Sequence, residues 1–265
     1  DDRYKRPQGR LGQSELVAGV SLASETGACA FDFVVQPEVG QPLRARKSWF
    51  ALPDGSIVAV GSGITLDEEI AVETVVDQRP IDDTEYIHLE GQQYAVADGL
   101  TQDTAASWLH AGSTGYVMLQ RGVKVCVEER TGRFGGITGY QPHGTTLEHE
   151  YRHRTFIAVV EHHTCCHNGS YAVVYLPGSS PERTRQYALR PRAQLLRHDQ
   201  EAHIIRDEQS ALVAAACFAP VGTQWLRSDT PGLVLYQVQG HRLALAVSLQ
   251  GHQQASGVGT IWIPQ

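Results

Sequence analysis

Residues 45–64 read ARKSWFALPDGSIVAVGSGI and predict a strand, a tight turn and a second strand. Trp49 and Phe50 are neighbours in the first strand, so their side chains must project from opposite faces of a sheet. Pro53 and Gly55 supply the backbone conformations that a short turn requires. The residues after the turn are apolar and rich in β-branched side chains, as in a strand. We therefore expect a fold built from antiparallel strands joined by turns.

The same pattern recurs along the chain. Short apolar or alternating runs, bounded by Gly, Pro, Asp or Ser, lie at residues 34–35, 71–76, 116–119, 123–127, 156–160, 171–176, 233–238 and 243–248. Gly122 and Gly240 stand where hairpins can close. The best helical candidate is residues 180–187, with Pro181 in its first turn. One short helix among many strands predicts an all-β fold of antiparallel sheets stacked face to face.

Composition excludes several classes of protein. The chain has 265 residues, of which 42% are apolar and 19% charged, so a sizeable buried core is expected. Its net charge is -7 and it has no Lys/Arg-rich run, which argues against nucleic acid as a partner. A local basic groove on an acidic protein still permits a polyanionic ligand. No apolar run approaches the ~18 residues of a membrane span, and the polar N-terminus does not resemble a signal peptide.

The cysteines and histidines suggest sites that we weigh against simpler interpretations. Five cysteines with irregular spacing and no CxxC pair predict free, mostly buried thiols. His162 beside Cys165 or Cys166 could form a nucleophile pair, but no third residue orients them. Six histidines cluster along the chain, at His143, His149, His153, His162, His163 and His167. His149 and His153 are four apart, and this spacing converges on a metal only in a helix, so we expect no metal site.

Several segments, in this order, resemble the C-terminal half of polysaccharide lyase family 8, the hyaluronate, chondroitin and xanthan lyases. These are residues 17–21 (VAGVS) with 31–33 (FDF), 45–50 (ARKSWF) with 53–55 (PDG), 60–64 (VGSGI) and 72–74 (VET), 108–110 (WLH) with 115–116 (GY), 162–178 with its SYA and LPG steps, and the tail 243–248 (LALAVS). The resemblance covers nearly the whole chain. It departs at residues 161–166, where the family has an Asp-His-Gly loop, and after Ser248, where the family often has Asp-Pro-Thr.

The resemblance implies a fold and also where the catalytic residues of the family lie. The fold is a large antiparallel supersandwich, galactose-mutarotase-like, over residues 1–190, followed by a smaller C-terminal β-sandwich over residues 191–265. Members cleave uronate-containing polysaccharide by β-elimination, with Asn, His, Tyr and Arg on an N-terminal helical toroid. No residue of this chain corresponds to that toroid, so we expect no catalytic residue here. Glu15 is the acid nearest to a family glutamate and is not assigned that role.

The resemblance also implies candidate binding residues, since the family's β half forms one wall of the substrate cleft. Trp49 is the candidate for stacking on a sugar, because an indole face covers the apolar face of a pyranose. Arg44, Arg46 and Lys47 are the candidate cations for uronate or sulfate groups. The alternative is that Trp49 packs into the core, while Arg46 and Lys47 are solvated charges at a strand edge.

Three functions remain open. The chain is the β half of a lyase that requires the helical toroid and binds an acidic polysaccharide, or it is a stand-alone carbohydrate-binding or structural module. A weaker third is a sugar-modifying enzyme of the mutarotase-like class with its own His/Glu site. We expect no cofactor, with a structural calcium ion left open, no membrane partner, and a secreted or periplasmic location.

Overall fold

A computed structural model describes residues 14–23, 25–35, 40–120, 122–133, 149–249 and 260–263. The first thirteen strands are β1 (Val17–Ala23), β2 (Thr26–Val35), β3 (Leu43–Ala51), β4 (Ile57–Leu66), β5 (Val72–Pro80), β6 (Tyr86–Leu89), β7 (Gln92–Ala95), β8 (Leu100–Ala106), β9 (Trp108–Ala111), β10 (Thr114–Gln120), β11 (Val123–Arg133), β12 (Glu150–His163) and β13 (Cys166–Pro177). The later strands are β14 (Ala193–His198), β15 (Ala202–Asp207), β16 (Leu212–Cys217), β17 (Val221–Gly222), β18 (Arg227–Ser228), β19 (Gly232–Gln239), β20 (Arg242–Leu249) and β21 (Ile261–Trp262). The predicted all-β class is confirmed.

The strands form four antiparallel sheets. The largest has nine strands in the order β1-β2-β3-β4-β13-β10-β9-β6-β7, and a four-stranded sheet has the order β5-β12-β11-β8. The strands after the helix form a five-stranded sheet, β14-β15-β16-β19-β20, and a three-stranded one, β17-β18-β21. The division into domains at residue 190 stays a prediction.

The nine-stranded sheet lies between two other sheets. One apolar core, which includes Ala59, Val76 and Phe156, joins it to the four-stranded sheet and makes the supersandwich. A second core, which includes Phe50, Val58 and Leu235, joins its other face to the five-stranded sheet. Alternation along each strand supplies both cores, because successive side chains point to opposite faces.

The predicted helix and the predicted turns at Gly55 and Gly240 are confirmed. Helix α1 spans Pro181–Leu189, and the Ser180 side chain caps it by accepting a hydrogen bond from the backbone N–H of Arg183. A 3-10 turn covers Val96–Asp98. Gly55 has a φ of 81° between β3 and β4, and Gly240 has a φ of 59° between β19 and β20. Within the described ranges, no helix has the length and apolarity to cross a bilayer.

The thiols differ in part from the prediction. All five cysteines are free, as expected, but "mostly buried" is wrong, because Cys29 and Cys165 are exposed and Cys126 is half-buried. Cys165 sits at a φ of 49° in the turn between β12 and β13. The hairpin predicted at Gly122 includes Arg121, which lies outside the described residues.

Candidate functional site

Strand β3 presents different side chains to its two sides. Phe50 is fully buried in the core shared with the five-stranded sheet. Trp49 projects from the other side, where it is partly buried and packs against the margin of the supersandwich core. Lys47 shares this side with Trp49, because the two are separated by one residue. The alternation predicted from residues 45–50 is therefore observed.

Strand β2 adds two aromatic rings to the same side. Phe31 pairs with Lys47 in register, and its ring stacks on Trp49 with centroids 5.6 Å apart and an angle of 21° between the rings. Phe33 meets the edge of Phe31 at 6.1 Å. We call these four residues, Phe31, Phe33, Lys47 and Trp49, the aromatic face. Stacked and edge-on rings at such distances are favourable geometries, so the three rings hold one another in place.

Lys47 places one positive charge on this apolar surface. Its Nζ lies 5.0 Å from the centroid of Phe33, a cation–π contact. Burial lowers the pKa of Lys47, because the charged ammonium loses hydration there. No ion pair joins Lys47 to a carboxylate elsewhere in the described part of the chain. An ammonium that is partly dehydrated and not neutralised is suited to pair with an anionic ligand.

A buried tyrosine ring covers the sheet beside Lys47. Gly61 of β4 is the register partner of Lys47, and Tyr171 of β13 is the next residue in that row. A Cβ on Gly61 would stand 2.1 Å from the Tyr171 ring, so only glycine allows this close approach. Cys29 lies opposite Trp49 in register and is exposed. The aromatic face is thus bordered by the glycine on one side and by the exposed thiol on β2.

The two predicted arginines lie on the other side of β3. Arg44 and Arg46 alternate with Lys47, and Arg46 donates a hydrogen bond to the carbonyl oxygen of Gln200. The guanidinium of Arg46 also lies 5.7 Å from the ring centroid of Phe218. The structure thus brings Lys47 and Trp49 together but places neither arginine beside them. Contact between these arginines and a ligand stays a prediction.

A second polar cluster lies inside the supersandwich. The hydroxyl of Tyr116 donates a hydrogen bond to the carboxylate of Asp77, whose Oδ2 is 2.9 Å from Nε of Arg79. Burial raises the pKa of Tyr116, and the hydrogen bond to Asp77 raises it further. The phenol therefore keeps its proton at neutral pH and cannot serve as a ready base. We interpret the cluster as a structural link between β5 and β10.

The described histidines of the cluster do not assemble into a shared site. Nε2 of His162 is 2.8 Å from the Thr74 hydroxyl, whereas His149 packs on Tyr151 with centroids 4.6 Å apart. The Cys166 thiol donates to the carbonyl oxygen of Ile64. In the ranges that the structure covers, no three His, Cys, Asp or Glu side chains are grouped to hold a metal. His143 lies outside those ranges.

Sequence reasoning missed Phe31 and Phe33 as members of the site. Residues 31–33 do show an alternating aromatic pattern, which places both rings on one side of a strand. The missing information is the pairing of β2 with β3, which sets Phe31 opposite Lys47 and Phe33 opposite Ala45. A hairpin prediction over residues 26–51 would have found the full aromatic face.

Comparisons with known proteins agree with this architecture. The family model described as polysaccharide lyase family 8, super-sandwich domain, matches residues 2–188. A hyaluronate lyase from Thermasporomyces composti is 29% identical over 232 residues, which cover 83% of this chain and 28% of that protein. A xanthan lyase of Paenibacillus has the same fold, with a TM-score of 0.73 at 23% identity over 85% of this chain and 22% of its own.

A chondroitin AC lyase of Streptomyces coelicolor A3, solved in complex with chondroitin sulphate, gives a TM-score of 0.70 at 25% identity. That match covers 88% of this chain and 29% of the lyase. The chain thus spans less than a third of the length of each of these three relatives.

Proposed function

The chain belongs to polysaccharide lyase family 8, and from this premise we propose that it forms the β wall of a cleft that binds an acidic, uronate-containing polysaccharide for β-elimination. The aromatic face is the observation that carries the proposal. Its stacked rings and single unneutralised ammonium match the two surfaces of a uronate residue, one apolar and one anionic.

Each part of the face has its own role in this proposal. The Trp49 indole, held by Phe31, covers the apolar face of a pyranose ring and excludes water from it. Lys47 pairs with the uronate carboxylate, and the buried Tyr171 ring, which covers its neighbour Gly61, bounds the face on the β4 side. Pairing at Lys47 orients the sugar and partly offsets the negative charge that grows when the proton next to the carboxylate is removed.

Proton abstraction is assigned to polypeptide outside the described residues. The buried phenol of Tyr116 keeps its proton, and its hydroxyl donates a hydrogen bond to Asp77. We therefore propose that a helical toroid, on the same polypeptide or on another one, supplies the base and completes the cleft. The length of the relatives supports this arrangement, because each is more than three times as long as the part that this chain matches. A polysaccharide substrate also favours a secreted or periplasmic location.

Calorimetric titration of the 265-residue chain with oligosaccharides of hyaluronan, chondroitin and xanthan tests the proposal. Replacing Trp49→Ala or Lys47→Ala should weaken binding about tenfold or more, because each removes one of the two contacts. Arg185→Ala is the control, since it removes one exposed positive charge on helix α1, outside β3. Equal affinities for the wild type, Trp49→Ala and Lys47→Ala would contradict the proposal.

A lyase half and a stand-alone binding module can be distinguished by whether adding the helical toroid produces β-elimination. For a lyase half, mixing the chain with the toroid of a relative should produce the ultraviolet absorbance of an unsaturated uronate. A stand-alone module binds the same oligosaccharides but yields no such product in the mixture. Product from the chain alone would show that the base lies within residues 1–265.

A further inference from the structure

His203 is a buried histidine that reaches from the five-stranded sheet into the nine-stranded one. Its side chain is fully buried, with Nδ1 2.7 Å from the Ser48 hydroxyl and Nε2 2.8 Å from the Ser62 hydroxyl. Ser48 belongs to β3 and Ser62 to β4, whereas His203 belongs to β15. One imidazole therefore joins the two strands that carry Lys47 and Gly61 to a different layer of the protein.

The hydrogen bonds of Ser48, His203 and Ser62 form a chain in which each group donates to the next, ending at the carbonyl oxygen of Asp199. The Ser62 hydroxyl donates to the carbonyl oxygen of Asp199 at 2.8 Å, so it can only accept from His203. Nε2 must then carry the proton, and Nδ1 accepts from the Ser48 hydroxyl. A neutral imidazole satisfies both contacts with one donor and one acceptor. Both ring nitrogens of His203 and both serine hydroxyls therefore have a partner.

Two neighbouring hydrogen bonds also join β3 and β4 to residues 198–200. Nε2 of His198 lies 2.8 Å from the carbonyl oxygen of Gly61, and Arg46 donates to the carbonyl oxygen of Gln200. His198, Gln200 and His203 lie in residues 198–203, where the chain passes from the end of β14 into β15. We call this segment the β14–β15 hairpin. It contacts the rear of β3 and β4 directly behind the aromatic face.

Ser48 has a particular place in this arrangement. It lies between Lys47 and Trp49 in sequence, and its side chain points to the rear while theirs point to the ligand side. Holding Ser48 therefore holds the backbone from which both ligand-contacting side chains project. Phe50, the next residue pointing to the rear, is buried in the same interface. Rotation or slippage of β3 would break both contacts.

From this geometry we infer that the β14–β15 hairpin is a positioning element for the aromatic face and that His203 is its positioning residue. The inference rests on the proposed function of that face. It gives the C-terminal sheet a part in binding the polysaccharide that does not require contact with the sugar. The ligand-side groups are held from behind, because a binding side chain is effective only when a supporting shell fixes its orientation.

The test uses single hydroxyl deletions, which remove a contact and leave the strand otherwise intact. Ser48→Ala and Ser62→Ala each remove one hydrogen bond of His203, and His203→Gln keeps a polar group that cannot span both serines. Asp207→Asn is the control, because it breaks the Arg192 ion pair in the same sheet without touching residues 198–203. Trp49→Ala reports on the face itself. Binding of a hyaluronan hexasaccharide is measured well below the melting temperature of every variant.

The inference predicts a selective result. Ser48→Ala and His203→Gln should weaken binding about three- to tenfold, and should shift or broaden the indole N–H resonance of Trp49. Asp207→Asn should lower the melting temperature and leave the affinity within about twofold of wild type.

Two outcomes would overturn it in distinguishable ways. If Trp49→Ala abolishes binding while Ser48→Ala, His203→Gln and Asp207→Asn all bind as wild type, the face is real and the hairpin does not position it. If Trp49→Ala also binds as wild type, the proposed function fails, and the inference fails with it.

Discussion

Nδ1 of His203 lies 2.7 Å from the hydroxyl of Ser48, although 155 residues separate them in sequence. Both side chains are fully buried between the nine-stranded and five-stranded sheets. Burial lowers the pKa of His203 to about 3, and the positive charges of His198 and Arg46 act in the same direction, whereas Asp199 opposes them. The imidazole is therefore neutral throughout the physiological pH range.

This histidine should make the protein less stable in mild acid. The unfolded chain binds a proton at His203 below a pH of about 6.5, whereas the folded chain does not until about pH 3. Stability is therefore complete above pH 6.5 and falls as the pH decreases, by up to about 4 kcal/mol at pH 3. Urea unfolding from about pH 7.5 down to about pH 5, above the range in which most carboxylates titrate, measures the slope.

His203→Gln is the control for that slope. The variant should be less stable at about pH 7.5, but its stability should depend less steeply on pH. Some dependence should remain, because burial also lowers the pKa of His110 and His198. An unchanged slope in His203→Gln would show that His203 does not resist protonation.

Breaking the buried ion pair of the C-terminal sheet should be costly. The Asp207 carboxylate is fully buried, with Oδ2 2.9 Å from Nη2 of Arg192. Burial opposes its ionisation, but hydrogen bonds from Arg192 and Ser210 outweigh this and lower the pKa of Asp207. Asp207→Asn should cost about 1.5–3 kcal/mol of unfolding free energy, because it removes the charge-assisted hydrogen bonds from Arg192, which keeps its ion pair with Asp54. Glu182→Gln, which breaks the exposed pair with Arg185, should cost less than about 1 kcal/mol. Comparable losses in the two variants would contradict the prediction.

Adding one carbon at Gly61 should disrupt the sheet beside Lys47. Because the new Cβ would lie 2.1 Å from the ring of the buried Tyr171, the ring or the strand must move. Gly61→Ala should therefore lower the unfolding free energy by about 3 kcal/mol. Gly132→Ala is the matched strand control, since a Cβ added there would have nothing within 4 Å and the stability should change by less than about 1 kcal/mol. Chemical denaturation of both variants decides the question.

A bound oligosaccharide should protect one cysteine and not another. Cys29 is exposed and lies opposite Trp49 in register, whereas Cys165 is exposed in the turn between β12 and β13. Saturating ligand should slow alkylation of Cys29 at least severalfold and leave that of Cys165 unchanged. Mass spectrometry of peptides after timed labelling measures both rates in one sample. Equal protection of the two thiols, or of neither, would count against binding at the aromatic face.

Local sequence patterns predicted the local parts of the site. Alternation in residues 45–50 separates Trp49 from Phe50, and the same rule already separates Lys47 from Arg44 and Arg46. The turn at Gly55 and the helix capped by Ser180 follow from turn and capping chemistry. These features depend on neighbours a few residues apart.

The remaining parts depend on pairing between distant segments. Phe31 joins the site only because β2 pairs with β3, and His203 reaches Ser48 only because two sheets pack together. Neither the register of a strand pair nor the partner of a buried imidazole is encoded in a local pattern. The contact of Arg46 with Phe218 likewise depends on packing between distant segments.

The two-sided character of β3 has a practical consequence for altering ligand preference. Because positions 31, 47 and 49 share the ligand side and are only partly buried, a combinatorial library can vary them together without entering the interface behind. Positions 48 and 50 should be kept constant, since their side chains are fully enclosed. A small library of these positions is therefore enough to explore new saccharides while the scaffold keeps its packing.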